Sequence, residues 1–236
     1  MSDTPRSPAA PLLDRVLNEL GRDIITGKLP EGKTFTLHDL SDRFEISRTV
    51  AREAMRALEQ LGLVSSSRRV GITVRPRSAW AVFDQAVINW RLESEPERSA
   101  QLRTLNELRI GIEPQAARSA ARAANPQQRE DLVALARTLT ELGTSGQGAS
   151  QEFLDADTRF HTLLMEASGN EMFAALTPTM LSVLHGRTRY GMQPEEPAAE
   201  ALAAHTNLAR AIADGDEDAA EAQSRALLTE VKLSLI

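Results

Sequence analysis

The chain has 236 residues, no cysteine and a formal net charge of −6, with 42% hydrophobic and 25% charged residues. These values are typical of a globular protein with one large domain or two ordinary ones. The lack of cysteine excludes disulfides and thiolate metal sites, and no apolar run approaches the roughly 18 residues of a membrane helix. The first residues have no apolar signal core. We therefore expect a cytoplasmic protein with no membrane partner.

The charge is unevenly distributed. Residues 11–77 hold 12 basic and 9 acidic side chains, whereas residues 78–236 hold 14 basic and 23 acidic ones. Opposite signs in the two parts favour a module that faces nucleic acid, joined to a domain of another kind. We place a disordered tail at 1–10, a first domain at 11–76 and a second at 77–236.

Three helices and a hairpin are predicted in the first domain. Apolar residues recur at helical spacing over 11–26, a second helix begins near Thr36, and a third follows the N-cap Ser47 and ends near Leu61. Two β-type runs, 63–66 and 72–74, come next. This order predicts a winged helix-turn-helix, which lays its second motif helix in the major groove of DNA.

The second domain is helical throughout by pattern. One helix is marked by Trp80 to Trp90 and stopped by Pro96. Further helices are predicted over 102–124, 127–142, 150–167, 171–190, 197–213 and 216–234. The predicted fold class is therefore mainly α, with an N-terminal winged helix-turn-helix and a C-terminal all-α antiparallel bundle of about seven helices.

Polar and basic residues crowd the start of the third helix, where a helix-turn-helix reaches base edges. Arg can bind guanine O6 and N7 together, while Ser and Thr anchor phosphates or read either base type. An ordinary solvated helix face is the alternative. The candidate DNA contacts are Ser47, Arg48, Thr49, Arg52 and Arg56 on the helix, and Arg68 and Arg69 at the wing tip.

This region resembles the GntR superfamily of bacterial transcription factors. The resemblance runs through Gly32 and Leu40, then Ser47 to Ala54, then Leu61-Gly62-Leu63-Val64 and the wing residue Gly71. It implies that Arg48, Thr49, Arg52 and the wing tip with Gly71 contact DNA. We expect a homodimer on a pseudo-palindromic operator, with half-sites about one helical turn apart.

A metal site is the main candidate in the second domain. Asp157 and His161 are four residues apart and share a helix face, and His205 on a later helix could join them. One carboxylate and two imidazoles leave open positions at a metal, where a small anion could bind. A surface pair without metal is the alternative.

The second domain looks like the FCD domain of the FadR subfamily. The matching pieces are Glu107-x-Arg109-x-x-x-Glu113, Asp157-x-x-Phe160-His161, Ala167 to Asn170, and His205 with Gly215-Asp216. The resemblance implies that Asp157, His161 and His205 bind a divalent metal of the zinc, nickel or manganese class. The family usually adds a histidine at a position that aligns with Leu227, so we expect partial occupancy or completion by an effector. His185 is a possible substitute.

Arg109 lies beside the buried face of its helix and has two interpretations. It could bind a carboxylate effector bidentately, or it could form a salt bridge with Glu113. The spacing of Trp80, Asp84 and Trp90 resembles FadR-type members that respond to sugar acids. We expect a repressor released by such a carboxylate; the alternatives are a metal-dependent enzyme and a DNA-binding protein without a ligand.

Overall fold

The structure is a computed structural model that describes residues 9–233. The tail predicted at 1–10 lies outside the described residues, except that Ala9 and Ala10 already belong to the first helix. The chain forms two compact units, Met1–Arg98 and Ser99–Ile236. None of the described helices is both long enough and apolar enough to span a membrane.

The first unit contains the predicted winged helix-turn-helix. Its elements are α1 (Ala9–Ile25), β1 (Thr34–Phe35), α2 (Leu37–Phe44), α3 (Arg48–Gln60), β2 (Val64–Ser67), β3 (Gly71–Val74), a 3-10 turn (Arg77–Ala79) and α4 (Gln85–Glu93). The strands form an antiparallel sheet in the order β1-β3-β2, in which Ser66 faces Ile72. The sequence did not predict β1, because two residues are too few to show an alternating pattern.

Side-chain caps fix the two helices of the motif. Thr36 Oγ1 accepts a bond from the Asp39 amide at 3.2 Å, and the Thr36 amide donates to Asp39 Oδ2 at 2.8 Å, which completes a capping box. Ser47 Oγ accepts from the Val50 amide at 3.3 Å. Between the two helices, Glu45 adopts a left-handed conformation with φ of 53°. These local interactions set where α3 starts and therefore which residues its first turn presents.

Helix α4 packs on α1 and lies with the first unit. The Trp90 indole Nε1 donates to Asn18 Oδ1 at 2.8 Å, and a Cβ on Gly21 would lie 2.5 Å from the Trp90 ring. Gly21 thus forms a notch that only a residue without a side chain allows. The boundary predicted between residues 76 and 77 places α4 in the second domain, whereas α4 clusters with the first compact unit.

The second unit is an all-α bundle. Its helices are α5 (Glu95–Ala123), α6 (Pro126–Thr144), α7 (Gln151–Ala167), α8 (Glu171–Arg189), α9 (Ala199–Asp214) and α10 (Glu217–Leu233). With α4, the described part of the chain has seven helices after residue 77, as predicted. Helix α4 ends at Glu93, before Pro96, as the sequence predicts. Pro96 itself lies in the first turn of α5, where its missing amide donor is harmless, so α5 starts before the predicted Leu102. Phe160, Leu164 and Met165 are fully buried in the bundle core.

Substitution of Gly62 tests the packing of the first unit. Gly62 has φ of +71°, and an added Cβ would lie 2.1 Å from the Ala79 carbonyl oxygen. We expect Gly62→Ala to lower the free energy of unfolding by roughly 2 kcal/mol or more, because backbone strain and a backbone clash add. Gly27→Ala is the matched control, since Gly27 has φ of +75° and no atom within 4 Å of the added Cβ. Equal losses for both variants in urea denaturation would contradict the clash.

Candidate DNA-reading face and candidate metal centre

The candidate DNA contacts on α3 and at the wing tip are open to solvent. Ser47, Arg48, Thr49, Arg52, Arg56, Arg68 and Arg69 are all exposed. Gly71 is half-buried at the tip end of β3, where it pairs with Ser67, and its φ of +88° permits the tight connection between the strands.

A groove of about 490 Å³ runs between α3 and the wing. Arg48, Arg52 and Arg56 line it from α3. Sequence reasoning missed the groove's polar side chains from other elements, which are Thr36, His38, Ser66 and Ser67. The run of serines in β2 was the available signal, because consecutive polar residues in a strand cannot all face a core. The structure thus groups three of the predicted arginines with hydroxyl groups on one concave face.

The predicted metal ligands come together in the bundle. His161 Nε2 lies 3.4 Å from Asp157 Oδ1, and His205 Nε2 lies 3.3 Å from the same oxygen. One ligand atom from each residue lies within 4.8 Å of the other two. Zinc with bonds of about 2.0–2.2 Å separates tetrahedral ligand atoms by roughly 3.3–3.5 Å. The spacing around Asp157 therefore fits a divalent ion.

The other imidazole nitrogens show why a cation suits this cluster. His205 Nδ1 lies 2.9 Å from the Ala201 carbonyl oxygen, which can only accept, and His161 Nδ1 lies 2.8 Å from Glu113 Oε2. When both Nδ1 atoms carry the hydrogen, the Nε2 atoms of neutral rings direct lone pairs toward Asp157. Three acceptors then face one another, an arrangement that requires protons or a metal ion. Such support from outside the ligand set is usual around metal-binding histidines.

Glu113 links this cluster to Arg109. Both are fully buried, and the guanidinium of Arg109 pairs with Glu113 through Nε and through Nη2, the latter at 3.3 Å. The predicted salt bridge is thus present. Burial raises the pKa of Glu113, but the charges of Arg109 and His161 outweigh burial and lower that pKa to about 2. Glu113 is therefore ionised at neutral pH.

The cluster shifts the pKa values of its own members as well. Burial opposes ionisation of Asp157, yet the hydrogen bonds from His161 and His205 hold its pKa well below the ordinary range. Burial and the charge of Arg109 lower the pKa of His161, but the Glu113 and Asp157 carboxylates together more than compensate, so the net shift is upward. The carboxylates of Asp157 and Glu113 thus favour a positive charge at His161, the kind of charge that a bound cation would also supply.

A cavity of about 120 Å³ adjoins the cluster. Arg109, Asp157, His161 and His205 line its polar part, and Arg187 from α8, which the sequence did not indicate, joins them. Its apolar wall includes Phe153, Leu184, Pro194, Pro197, Leu202, Leu227 and Leu228. Leu227 is thus placed at the site but offers no ligand atom. His185 is exposed and outside both the cluster and the cavity lining, so the structure does not support it as a substitute ligand.

Two protein families and several known proteins match this chain. The family described as "Bacterial regulatory proteins, gntR family" matches residues 12–74, and the FCD domain family matches residues 104–230. The galactonate operon transcriptional repressor of Escherichia coli (strain K12) is 30% identical over 212 residues, 88% of this chain and 90% of the relative. The Uxu operon transcriptional regulator of the same organism is 32% identical over 142 residues, 58% of this chain and 51% of the relative.

The chain belongs to the GntR family. It carries the FCD domain of that family, and it is a DNA-binding transcriptional regulator rather than an enzyme. A solved Streptococcus agalactiae GntR protein covers 94% of this chain and 99% of its own, with a TM-score of 0.53 at 21% identity. That likeness shows the fold alone. The GntR and FCD matches fall within the first and second compact units respectively.

Removing the Glu113 charge tests the buried network. Glu113→Gln leaves Arg109 with a neutral partner in the core, so we expect the free energy of unfolding to fall by about 3–5 kcal/mol. The pKa of His161 should also fall, because the Glu113 carboxylate raises it. Urea denaturation and NMR titration of the His161 ring in metal-free protein measure both effects. Glu107→Gln, an exposed change on the same helix, is the control.

The sign of the pH effect follows from the raised pKa of His161. Its stabilising contribution is full below the ordinary value of 6.5 and is lost as pH rises through the folded pKa. In the metal-free Glu113→Gln protein, the free energy of unfolding should decrease less as the pH rises, because the Glu113 carboxylate that raises the pKa of His161 is gone. An unchanged His161 titration would contradict the assigned contact.

Proposed function

We propose that this GntR-family regulator is a cytoplasmic homodimeric repressor. Its winged helix-turn-helix would bind a pseudo-palindromic operator. A small carboxylate that binds beside a divalent metal in the FCD domain would release the protein from this operator. The observation that carries the effector proposal is the buried Asp157, His161 and His205 cluster, which adjoins a cavity also lined by Arg109. The name of the galactonate operon repressor supports both repression and a sugar acid or related compound as the effector class.

The DNA part of the proposal depends on the exposed start of α3. Arg48 and Arg52 lie one turn apart on a face that also lines the groove beside the wing. A helix entering the major groove with this face presents guanidinium groups to base edges, while Ser47 and Thr49 reach phosphates. Arg68 and Arg69 would contact the flanking backbone or the minor groove.

The effector part depends on complementary charge. Arg109 Nη1 is buried and has no hydrogen-bond partner among the described residues, although Nε and Nη2 are held by Glu113. A carboxylate is the natural acceptor for such a group. When bound by Asp157, His161 and His205, a divalent metal would supply a Lewis-acidic position for a carboxylate oxygen. With Leu227 offering no fourth ligand, we expect partial occupancy or completion by the effector.

The effector would act by changing a population of dimer arrangements. It can favour the arrangement that no longer fits the operator only to the extent that it binds the two arrangements with different affinity. An architectural DNA binder without a ligand would have no use for a cavity that adjoins the unpaired Nη1 atom of Arg109. That rival is therefore not supported by the second unit.

Arg48→Ala tests the proposed contact between α3 and DNA bases. We expect operator affinity to fall about tenfold or more, because one bidentate contact to guanine contributes about 1–3 kcal/mol of discrimination. The variant should keep the thermal stability of the parent, since Arg48 is exposed. Fluorescence anisotropy with operator and scrambled duplexes at fixed salt measures the loss. Arg103→Ala, an exposed arginine on α5, is the control. Unchanged operator affinity in Arg48→Ala would contradict the assignment.

His161→Ala tests the sensor. The change removes one ligand and should abolish effector-induced release while operator binding persists. Metal content after dialysis, and operator release by D-galactonate, measure the two effects separately. His185→Ala is the control because His185 is exposed on α8. Normal release by His161→Ala would exclude the cluster as the sensor.

A further inference from the structure

Arg187 is a charged residue of the cavity that neither the motif spacing nor the family resemblance indicated. It is 6% exposed on α8 and lines the same cavity as Arg109, which is 1% exposed on α5. Arginine is almost never this deeply buried without an anionic or hydrogen-bonding role. Both line one cavity of about 120 Å³, so two guanidinium groups border the space that a ligand would occupy.

The two guanidinium groups affect each other electrostatically. Burial lowers the pKa of Arg187, the Asp157 carboxylate raises it, and the positive charge of Arg109 lowers it. All three groups line the cavity, and the like charges of the two buried guanidinium groups repel each other more strongly than they would in water. A cation held by Asp157 would add to this repulsion. An anionic ligand in the cavity would relieve it at both arginines.

The remaining wall limits what such a ligand can be. Apart from the charged and imidazole groups, the described residues that line the cavity offer one polar side chain, Gln193, and are otherwise apolar. The wall offers few hydrogen-bond partners to a polyhydroxylated acid, so those hydroxyls that contact the wall would lose their bonds to water. The volume is also below the roughly 150 Å³ of a cavity that holds benzene. A compact ligand with acidic ends and an apolar middle suits this wall best.

We propose that Arg187 is a second anion-binding residue of the effector cavity and selects short dicarboxylates over monocarboxylates of equal length. One carboxylate would bind on the side of Arg109 and the metal cluster, and the other would accept hydrogen bonds from Arg187. This inference rests on the proposed function of the cavity as an effector site. Within the carboxylates it favours compact dianions over the sugar acids that the name of the galactonate operon repressor suggests.

Isothermal titration of the zinc-loaded, full-length protein with succinate, butyrate and D-galactonate tests the proposal. We expect succinate to bind about tenfold or more tightly than butyrate. This affinity ratio corresponds to the free energy of one hydrogen bond to a charged group. In Arg187→Gln this preference should shrink to about threefold or less, because succinate weakens while butyrate changes little. A purely structural role for Arg187 would weaken both ligands equally. Arg187→Lys should restore part of the preference.

Controls separate this inference from the broader function. Arg189→Gln, an exposed change two residues further along α8, should keep the parent's preference. A preference that is absent in the parent, or unchanged in Arg187→Gln, would overturn the role of Arg187 while leaving a carboxylate effector in place. Binding of none of the three acids would reject the effector class itself. If Arg187→Gln does not fold, Arg187→Lys decides alone, since the loss of the guanidinium fork should still reduce the preference.

Discussion

The ion pair between the buried Glu113 carboxylate and Arg109, with the contact of Glu113 to His161, is the interaction on which the candidate site of the second unit depends. The carboxylate holds Arg109 on its own helix and lies 2.8 Å from the Nδ1 atom of His161 on α7. A fully buried carboxylate is stable only with such partners, and these partners are in turn fixed by it. One side chain therefore orients the guanidinium toward the cavity and the imidazole toward Asp157. The two parts of the candidate site are organised together before any ligand arrives.

Most of the first unit could be predicted, because the sequence signals for its helix boundaries are local. Thr36 with Asp39, and Ser47 with Val50, are close in sequence, and each cap shows where a helix begins. Strand β1 escaped prediction because its two residues pair with β3, which is distant in sequence. The start of α5 was misplaced because Pro96 resembles a stop unless it is recognised as a first-turn residue. Local chemistry thus determines most of this unit, and pairing at a distance determines the rest.

The candidate metal site was only partly predictable. Asp157 and His161 share a helix face by spacing, whereas His205 is 48 residues beyond Asp157 and was tied to them chiefly through family resemblance. Arg187 gave no signal, because α8 is buried around most of its circumference between residues 177 and 187. A helix of that kind has no polar stripe from which to decide which side faces a cavity. The side-chain pairs that matter in the bundle come from different helices, and their contact depends on packing.

The notch at Gly21 has a consequence for dissecting this protein. Trp90 fills the notch and bonds to Asn18, so the apolar surface of α1 is completed by α4. A fragment ending at residue 76 would match the GntR family region and yet expose that surface to water. Such a fragment is prone to self-association through the uncovered patch, and its DNA affinity would then reflect aggregation. A fragment that ends after Arg98 keeps the Trp90 indole against α1. The shortest intact DNA-binding fragment is therefore longer than the region that the GntR family matches.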